Sequence, residues 1–271
     1  MKHLSKISIA SLALIAGTSA LAQSKPAEPD FTLAYNIGAV SDYRFRGITQ
    51  TANQASIQGG IDFAHKNGVY LGAWAASNLK WIKEFNGASK GDYEVDLYGG
   101  YKFNAMGLGF DLGAITYQYP GNDSGAIGTP GSSTTANFSK ADTTEAYVCV
   151  SYGPVTLKYS QSFGDFLGNL NSNGSRYWDL SANLDLGNGL SLVPHVGRQT
   201  VPNQTSGSVV GNAADYTDYA ITLNKDFGKG LSASIAAVGT DAKEGGFYSQ
   251  SLFDTRFLAK SGLLVGVKYT F

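Results

Sequence analysis

Beyond residue 30, apolar and polar side chains alternate with a period of two. The clearest case is 93–103, where Tyr93, Val95, Leu97, Gly99, Tyr101 and Phe103 share one face and Glu94, Asp96, Tyr98, Gly100 and Lys102 share the other. An extended chain sends successive side chains to opposite sides, whereas a helix would mix the two sets around its circumference. The segment therefore reads as a strand with one apolar and one polar face. The same phase governs 31–39 and 57–63, and further strands fall at about 68–78, 108–119, 143–152, 155–163, 176–186, 190–199, 216–226, 231–240 and 260–271, making twelve. The alternation slips at Ala114-Ile115 and near Val193, which predicts β-bulges at both places.

The connections alternate in length. Short ones hold His65-Lys66-Asn67-Gly68, 104–107, Gly153-Pro154, Gly187-Asn188-Gly189 and 226–230, which are hairpin turns by composition. Long ones, at about 47–54, 79–91, 120–141, 164–174, 200–214 and 241–258, are rich in Gly, Ser, Asn and Thr. Strict alternation sends all long loops to one end and all short turns, with both ends of the strand array, to the other.

The first 22 residues read as an export signal. Lys2, His3 and Lys6 form a basic start, Ile7 to Thr18 an apolar stretch, and Ala20-Leu21-Ala22 a small-residue cleavage site before Gln23. The apolar stretch is too short for a membrane anchor, and no later segment is long and apolar enough to span as a helix. Residues 23–30 form a short polar lead-in, and 31–271 a single domain. Residues 23–271 carry 18 basic and 21 acidic side chains, without the cationic excess of a nucleic-acid binder. Aromatics stand at 12 % and charged residues at only 15 %, which excludes a disordered tail, and Gly at 34 of 271 with abundant Tyr suits many strands and turns. One Cys permits neither an internal disulfide nor a thiolate zinc site, and the scattered His and carboxylates suggest no metal or cofactor.

Alternation alone does not say which face meets an apolar medium. A soluble barrel turns its apolar face inward and a membrane barrel turns it outward. Four features choose the membrane version: the export signal, the segregation of long and short connections, aromatics near strand ends, and a last strand alternating through Leu263, Val265, Val267, Tyr269 and Phe271. The aromatics in question are Phe63 and Tyr70 by one short turn, Tyr101, Phe103 and Phe110 by another, and Tyr117, Tyr119, Tyr177 and Trp178 near the long loops. The final strand, with Tyr269 and Phe271, looks like the signal read by the outer-membrane barrel-assembly machinery. The bilayer core has no water to satisfy backbone polar groups, so a chain without spanning helices must close into a barrel. The expected fold is all-β, an antiparallel up-and-down transmembrane barrel of about twelve strands in the bacterial outer membrane.

The run Ser41-Asp42-Tyr43-Arg44-Phe45-Arg46-Gly47-Ile48-Thr49-Gln50-Thr51 resembles the opening motif of TorF-family porins. Residues 58–63, 70–78 and 94–101 and the last strand are similar to that family too, so the resemblance covers 31–271. It implies an outer-membrane barrel of porin type, with no solute specified.

With the apolar face outward, the polar face lines a lumen. By phase the lumen carries Asp42, Arg44, Arg46, Asp62, Glu94, Asp96, Lys102, Asp111, Glu145, Lys158, Asp179, Asp185, Asp218 and Lys268. Acidic residues outnumber basic ones there, which predicts a mild cation preference. A twelve-strand barrel is narrow, so passage should be small or partly plugged by loops. Arg44 and Arg46 at the outer end of strand one would face Glu94 and Asp96 on strand four across a constriction. The plainer reading is that the arginines pair with neighbouring carboxylates and stiffen the wall.

Two other functional classes compete with a channel. A closed barrel could present its long loops, above all 120–141 and 200–214, to a partner. A lipid hydrolase would need a serine and a base, and His195 falls opposite Ser181 with Asp179 one pleat away. There is no G-x-S-x-G elbow, and a lipid-directed site would face outward, so the chain is read as a non-enzyme. Gly107 to Gly113 lacks dinucleotide-binding spacing, and its glycines fit strand curvature. Cys149 sits on the polar phase with no adjacent base. Asn122, Asn137, Asn173 and Asn203 match N-x-S/T only through loop composition. Trp74, Tyr70 and Gly72, assigned to an outward phase, offer a surface for lipid or for a second barrel. The partners expected are lipid, the assembly machinery and small polar solutes.

Overall fold

A computed structural model describes residues 29–84, 86, 88–124, 138–249 and 256–271. The export signal and all but the end of the lead-in lie outside the described residues. The barrel strands are β1 (Phe31–Val40), β2 (Ser56–His65), β3 (Val69–Ser77), β4 (Tyr93–Ala105), β5 (Leu108–Gln118), β6 (Thr143–Tyr152) and β7 (Val155–Phe163). They continue with β8 (Arg176–Ala182, resuming as Leu184–Gly187), β9 (Leu190–Thr200), β10 (Tyr216–Gly228), β11 (Leu231–Thr240) and β12 (Gly262–Thr270). Each pairs antiparallel with its chain neighbours. β1 also pairs with β12, from Asn36 opposite Thr270 to Val40 opposite Gly266, and Tyr35 and Phe271 exchange backbone hydrogen bonds of 3.0 and 2.9 Å. The sheet is thus a closed cylinder of twelve strands.

Turn chemistry sets the short connections. Met106-Gly107 (φ 53° and 77°) and Asn188-Gly189 (φ 53° and 73°) place two successive residues in the left-handed region, the geometry that follows strand twist in tight hairpins. The predicted bulges at Ala114-Ile115 and Val193 are absent. Ala114 pairs with Ala146, Ile115 with Glu145 and Val193 with Thr222 in unbroken register. The register shifts instead beside turns, at Asp185/Gly187 and Asp226/Gly228. The apparent slip arises because Ile115 points inward, where its surroundings are apolar.

The wall segregates as its alternation requires. Ile37, Ile57, Leu71, Leu97, Ile221 and Val265 face outward and are each more than half exposed. Aromatic rings band the outside, with Phe31 on Phe63 and Phe103 on Phe110 near the short turns and Tyr159 on Trp178 nearer the long loops. Other aromatics expected at the interfaces point inward. Tyr117, Tyr119 and Tyr177 are buried, Tyr70 donates to Asp111 inside the barrel, and Trp74 packs edge-on against Tyr43. β3 therefore runs in the phase opposite to the expected one: Val69, Leu71, Ala73 and Ala75 face out, and Tyr70, Gly72 and Trp74 face in. Both faces of β3 are apolar, and only the phenol's need for an acceptor tells them apart.

Part of the high Gly and Tyr content has a shared cause. Tyr98 lies over Gly72, Tyr70 over Gly100, Tyr147 over Gly113 and Tyr177 over Gly197, and a methyl group at any of these glycines would overlap the ring. The rings lie flat on the inner wall because the neighbouring strand has no side chain there.

A buried apolar cluster lies at the long-loop end. Ile48, Trp81, Ile82, Phe166, Phe247 and Leu258, from four of the long loops, pack there with the inward Tyr117 and Tyr216.

Two substitutions check this arrangement. Leu97→Arg, at mid-strand on the outer face, should destabilise the barrel by about 2–4 kcal/mol, read as a lower urea midpoint for the protein folded in lipid vesicles. Gly113→Val forces the Tyr147 ring off the wall and should cost about 1–3 kcal/mol by the same measurement.

Candidate functional site

The loop leaving β1 turns into the cylinder. Ser41 N–H bonds to Val265 at 2.9 Å and Gln50 N–H to Tyr43 at 2.7 Å. Arg44-Phe45 and Ile48-Thr49 then form a two-rung hairpin. Arg46 (φ 48°) and Gly47 (φ 80°) make its tip, and a Cβ on Gly47 would lie 2.7 Å from side-chain atoms of both Asp218 on β10 and Thr240 on β11. Only glycine lets the tip seat that closely. The base of the loop is tied by Thr49 N–H to Leu258 at 3.0 Å and by Lys80 N–H to Gln50 at 2.8 Å.

Arg44 holds the loop to itself. Its Nε donates to Asp42 at 2.6 Å, and its other nitrogens donate to the Gly47 and Lys260 carbonyls and to Asn53. The buried Asp42 carboxylate also accepts from the Thr49 and Thr51 hydroxyls.

Arg46 reaches the far wall. It donates to Glu145 on β6 at 2.6 Å and to Gln199 on β9 at 2.8 Å, with its guanidinium 4.2 Å from the Tyr177 ring centre and 4.6 Å from that of Phe45. Tyr117 donates to the same Glu145 oxygen at 3.1 Å. Burial pulls the Arg46 pKa down, but the Glu145 charge more than offsets this, and the guanidinium is held above its ordinary value. The side chain of Glu145 is 1 % exposed, so the pair is a desolvated one.

Arg44 and Arg46 therefore lie on the ingoing hairpin and not on β1. Glu94 and Asp96 lie on β4 as expected, buried beneath that loop, where Glu94 accepts from Tyr43 at 2.9 Å. Burial, followed by the Glu94 and Asp96 charges, raises the Tyr43 phenol well above its ordinary value. Arg46 meets Glu145, which the sequence placed in the lumen, rather than Glu94 or Asp96. Gln199, Tyr117 and Tyr177 complete this node and were not singled out as site residues. The signal for the two tyrosines was their place on the polar phase of their strands.

Toward the short turns the lumen turns polar. Tyr98 donates to Asp62 at 2.5 Å and Tyr70 to Asp111 at 2.6 Å. Lys102, Asp111, Cys149, Lys158 and Asp179 are successive partners on one ladder row running across β4 to β8. His195 does stand opposite Ser181, but its ring nitrogens face Asp218 at 2.8 Å and Asp179 at 3.3 Å. Neither nitrogen is left to act as a base for Ser181.

The chain belongs to the family described as bacterial protein of unknown function (Gcw_chp), which matches residues 23–271. No curated protein matches it by sequence. Among solved structures it is similar to the KdgM porin, at 8 % identity, covering 88 % of this chain and 98 % of that one with a TM-score of 0.51. It is similar also to the NanC porin, at 10 % identity, covering 89 % and 99 % with a TM-score of 0.50. At such identities the likeness concerns the fold: this is a barrel of porin type.

Removing one member of the buried pair exposes its importance. Arg46→Ala leaves Glu145 desolvated without its cation, a cost of about 3–5 kcal/mol for keeping the hairpin docked. The hairpin should then leave the barrel, and limited proteolysis should cut within 44–55 in the variant but not in the parent protein.

Proposed function

We propose that the protein is an outer-membrane channel for passive diffusion of small polar solutes or ions, constricted by the hairpin that Arg46 pins across the lumen. The observation that carries this reading is the contrast between the two faces. An apolar, aromatic-banded exterior suits acyl chains, and a charged interior suits hydrated solutes. A barrel filled only for strength would not need Lys102, Asp111, Lys158 and Asp179 directed inward and partly exposed. Passage through the bilayer interior is favourable only along such a wall, and the hairpin limits its bore.

Export by the N-terminal signal and insertion through the C-terminal strand belong to the same reading. Ion selectivity should be slight and toward cations, since Asp62, Asp111 and Asp179 face Lys102 and Lys158 below the constriction. Arg44 acts as the internal brace of the hairpin, and Glu94 and Asp96 support it from β4. The apolar cluster among the long loops favours a second reading, a closed barrel that presents those loops to a partner.

Planar-bilayer recording separates the two. The channel reading expects small discrete openings with slight cation preference, and larger openings in Arg46→Ala, whose hairpin is released. Absence of conductance in both proteins would leave the closed barrel.

A further inference from the structure

The outer wall carries almost no charge. Among the described residues of the strands, its outward phase holds a charged side chain at three positions only: Lys225 beside a short turn, and Arg176 and Arg198 toward the long loops. The Lys225 ammonium donates to the Asn188 carbonyl. The two arginines stand together. Arg176 on β8 lies opposite Thr200 on β9, and Arg198 lies one pleat away along β9, opposite Trp178. Diagonal neighbours of this kind are about 7–8 Å apart, within reach of long side chains. Two guanidinium groups so placed can close on one small anion.

The pair is incompletely neutralised. Arg176 is exposed, and its side chain makes no ion pair or hydrogen bond among the described residues. Arg198 donates to the Thr217 hydroxyl at 3.3 Å and meets Asp215 and Asp241 only at 3.8 and 4.0 Å. Both carboxylates are held elsewhere, Asp215 by the Val201 N–H at 2.8 Å and Asp241 by the Thr217 N–H at 2.6 Å. Like charges side by side repel, and charge on a lipid-facing wall is costly away from the interface. Neither the pairing nor its place helps the barrel by itself, and an anion between the two removes both costs.

Below the arginines the wall suits a lipid interface. Trp178 packs on Tyr159 with ring centres 4.6 Å apart, and Tyr159 donates to Gln161, which lies opposite Arg176. Beyond the rings, Leu157, Leu180 and Val196 face outward and exposed. Charge, aromatic ring and aliphatic side chain follow one another along β8 toward the bilayer centre, in the order of the parts of one lipid molecule. We propose that Arg176 and Arg198 form a docking site for a phosphorylated lipid of the outer leaflet. Its phosphate sits between the two guanidinium groups, whose planar forks match phosphate oxygens, and its acyl chains run over Trp178, Leu180 and Val196. The inference rests on the placement in the outer membrane, and it stands whether or not the barrel conducts.

The test uses Trp178 as reporter, since Trp74 and Trp81 point away from lipid. The full barrel is refolded into phosphatidylcholine vesicles holding a minor share of phosphatidate, with brominated acyl chains on one lipid or the other in turn. Bromine quenching of Trp178 should give phosphatidate an advantage of about threefold or more over phosphatidylcholine, shrinking as salt is added. In Arg176→Gln/Arg198→Gln the advantage should vanish while quenching by phosphatidylcholine persists. Equal quenching by the two lipids in the parent protein, or an unchanged advantage in the double variant, overturns the site. An advantage abolished by inorganic phosphate at matched ionic strength assigns the pair to a free anion and overturns the lipid. Dimers of the parent in pure phosphatidylcholine that the double variant does not form give the face to a second barrel, with the same result. If the double variant fails to insert, Arg176→Gln alone is used, with at least half the advantage lost and no loss overturning. No quenching by either lipid removes the membrane placement together with the site, whereas equal quenching removes the site alone.

Discussion

Everything in this molecule depends on the backbone finding all its partners within the wall. Strand β1 closes onto β12 through five paired positions, and Arg176–Ala182 of β8 bridges β7 to β9, so the cylinder closes; the Leu184–Gly187 continuation of β8, beside a short turn, pairs on one side. In an apolar medium an unpaired edge costs several kcal/mol for each orphaned group. Closure also fixes every side chain as inner or outer, because the pleat allows no third direction. The positions of the lumenal carboxylates and lysines follow from that one condition.

Within the cylinder, packing takes two forms. At the long-loop end, loops that have no period of their own supply the apolar residues, and the inward faces of β5 and β10 supply the tyrosines that meet them. Farther down, tyrosine rings lie over glycines of the neighbouring strands. Arg46 stands near the border between the two. It couples a mobile kind of element, a hairpin, to the rigid wall through one buried ion pair. A buried pair adds little net stability over an apolar substitute, but it specifies one docking position, since any other leaves Glu145 without a cation.

The strands were legible because period-two alternation is a direct imprint of a wall between two media. β4 shows this best, with all eleven residues of 93–103 on the expected faces. Legibility failed where the contrast between media fails. β3 carries apolar side chains on both faces, and its phase shows only in the Tyr70 phenol, which needs an acceptor and finds room to turn inward over Gly100 of β4. Ile115 looked like a slip because the interior beside it is packed with loop residues. The hairpin at 44–49 was hidden for a different reason. Tyr43 and Phe45 alternate with Arg44 and Arg46 as in an extended strand, and the pattern breaks only at Gly47 and Ile48. A glycine following a residue that must accept positive φ is the mark of a tight turn, and it was present at residue 47.

The lone thiol of Cys149 points into the lumen, half-buried between Asp111 and Lys158 on the ladder row. Its position makes the molecule its own caliper. Maleimides of graded girth must enter the cylinder to reach it, so the largest reagent that reacts reports the clearance from the nearer mouth. Reagents confined to one side of a vesicle would then report which mouth admits them.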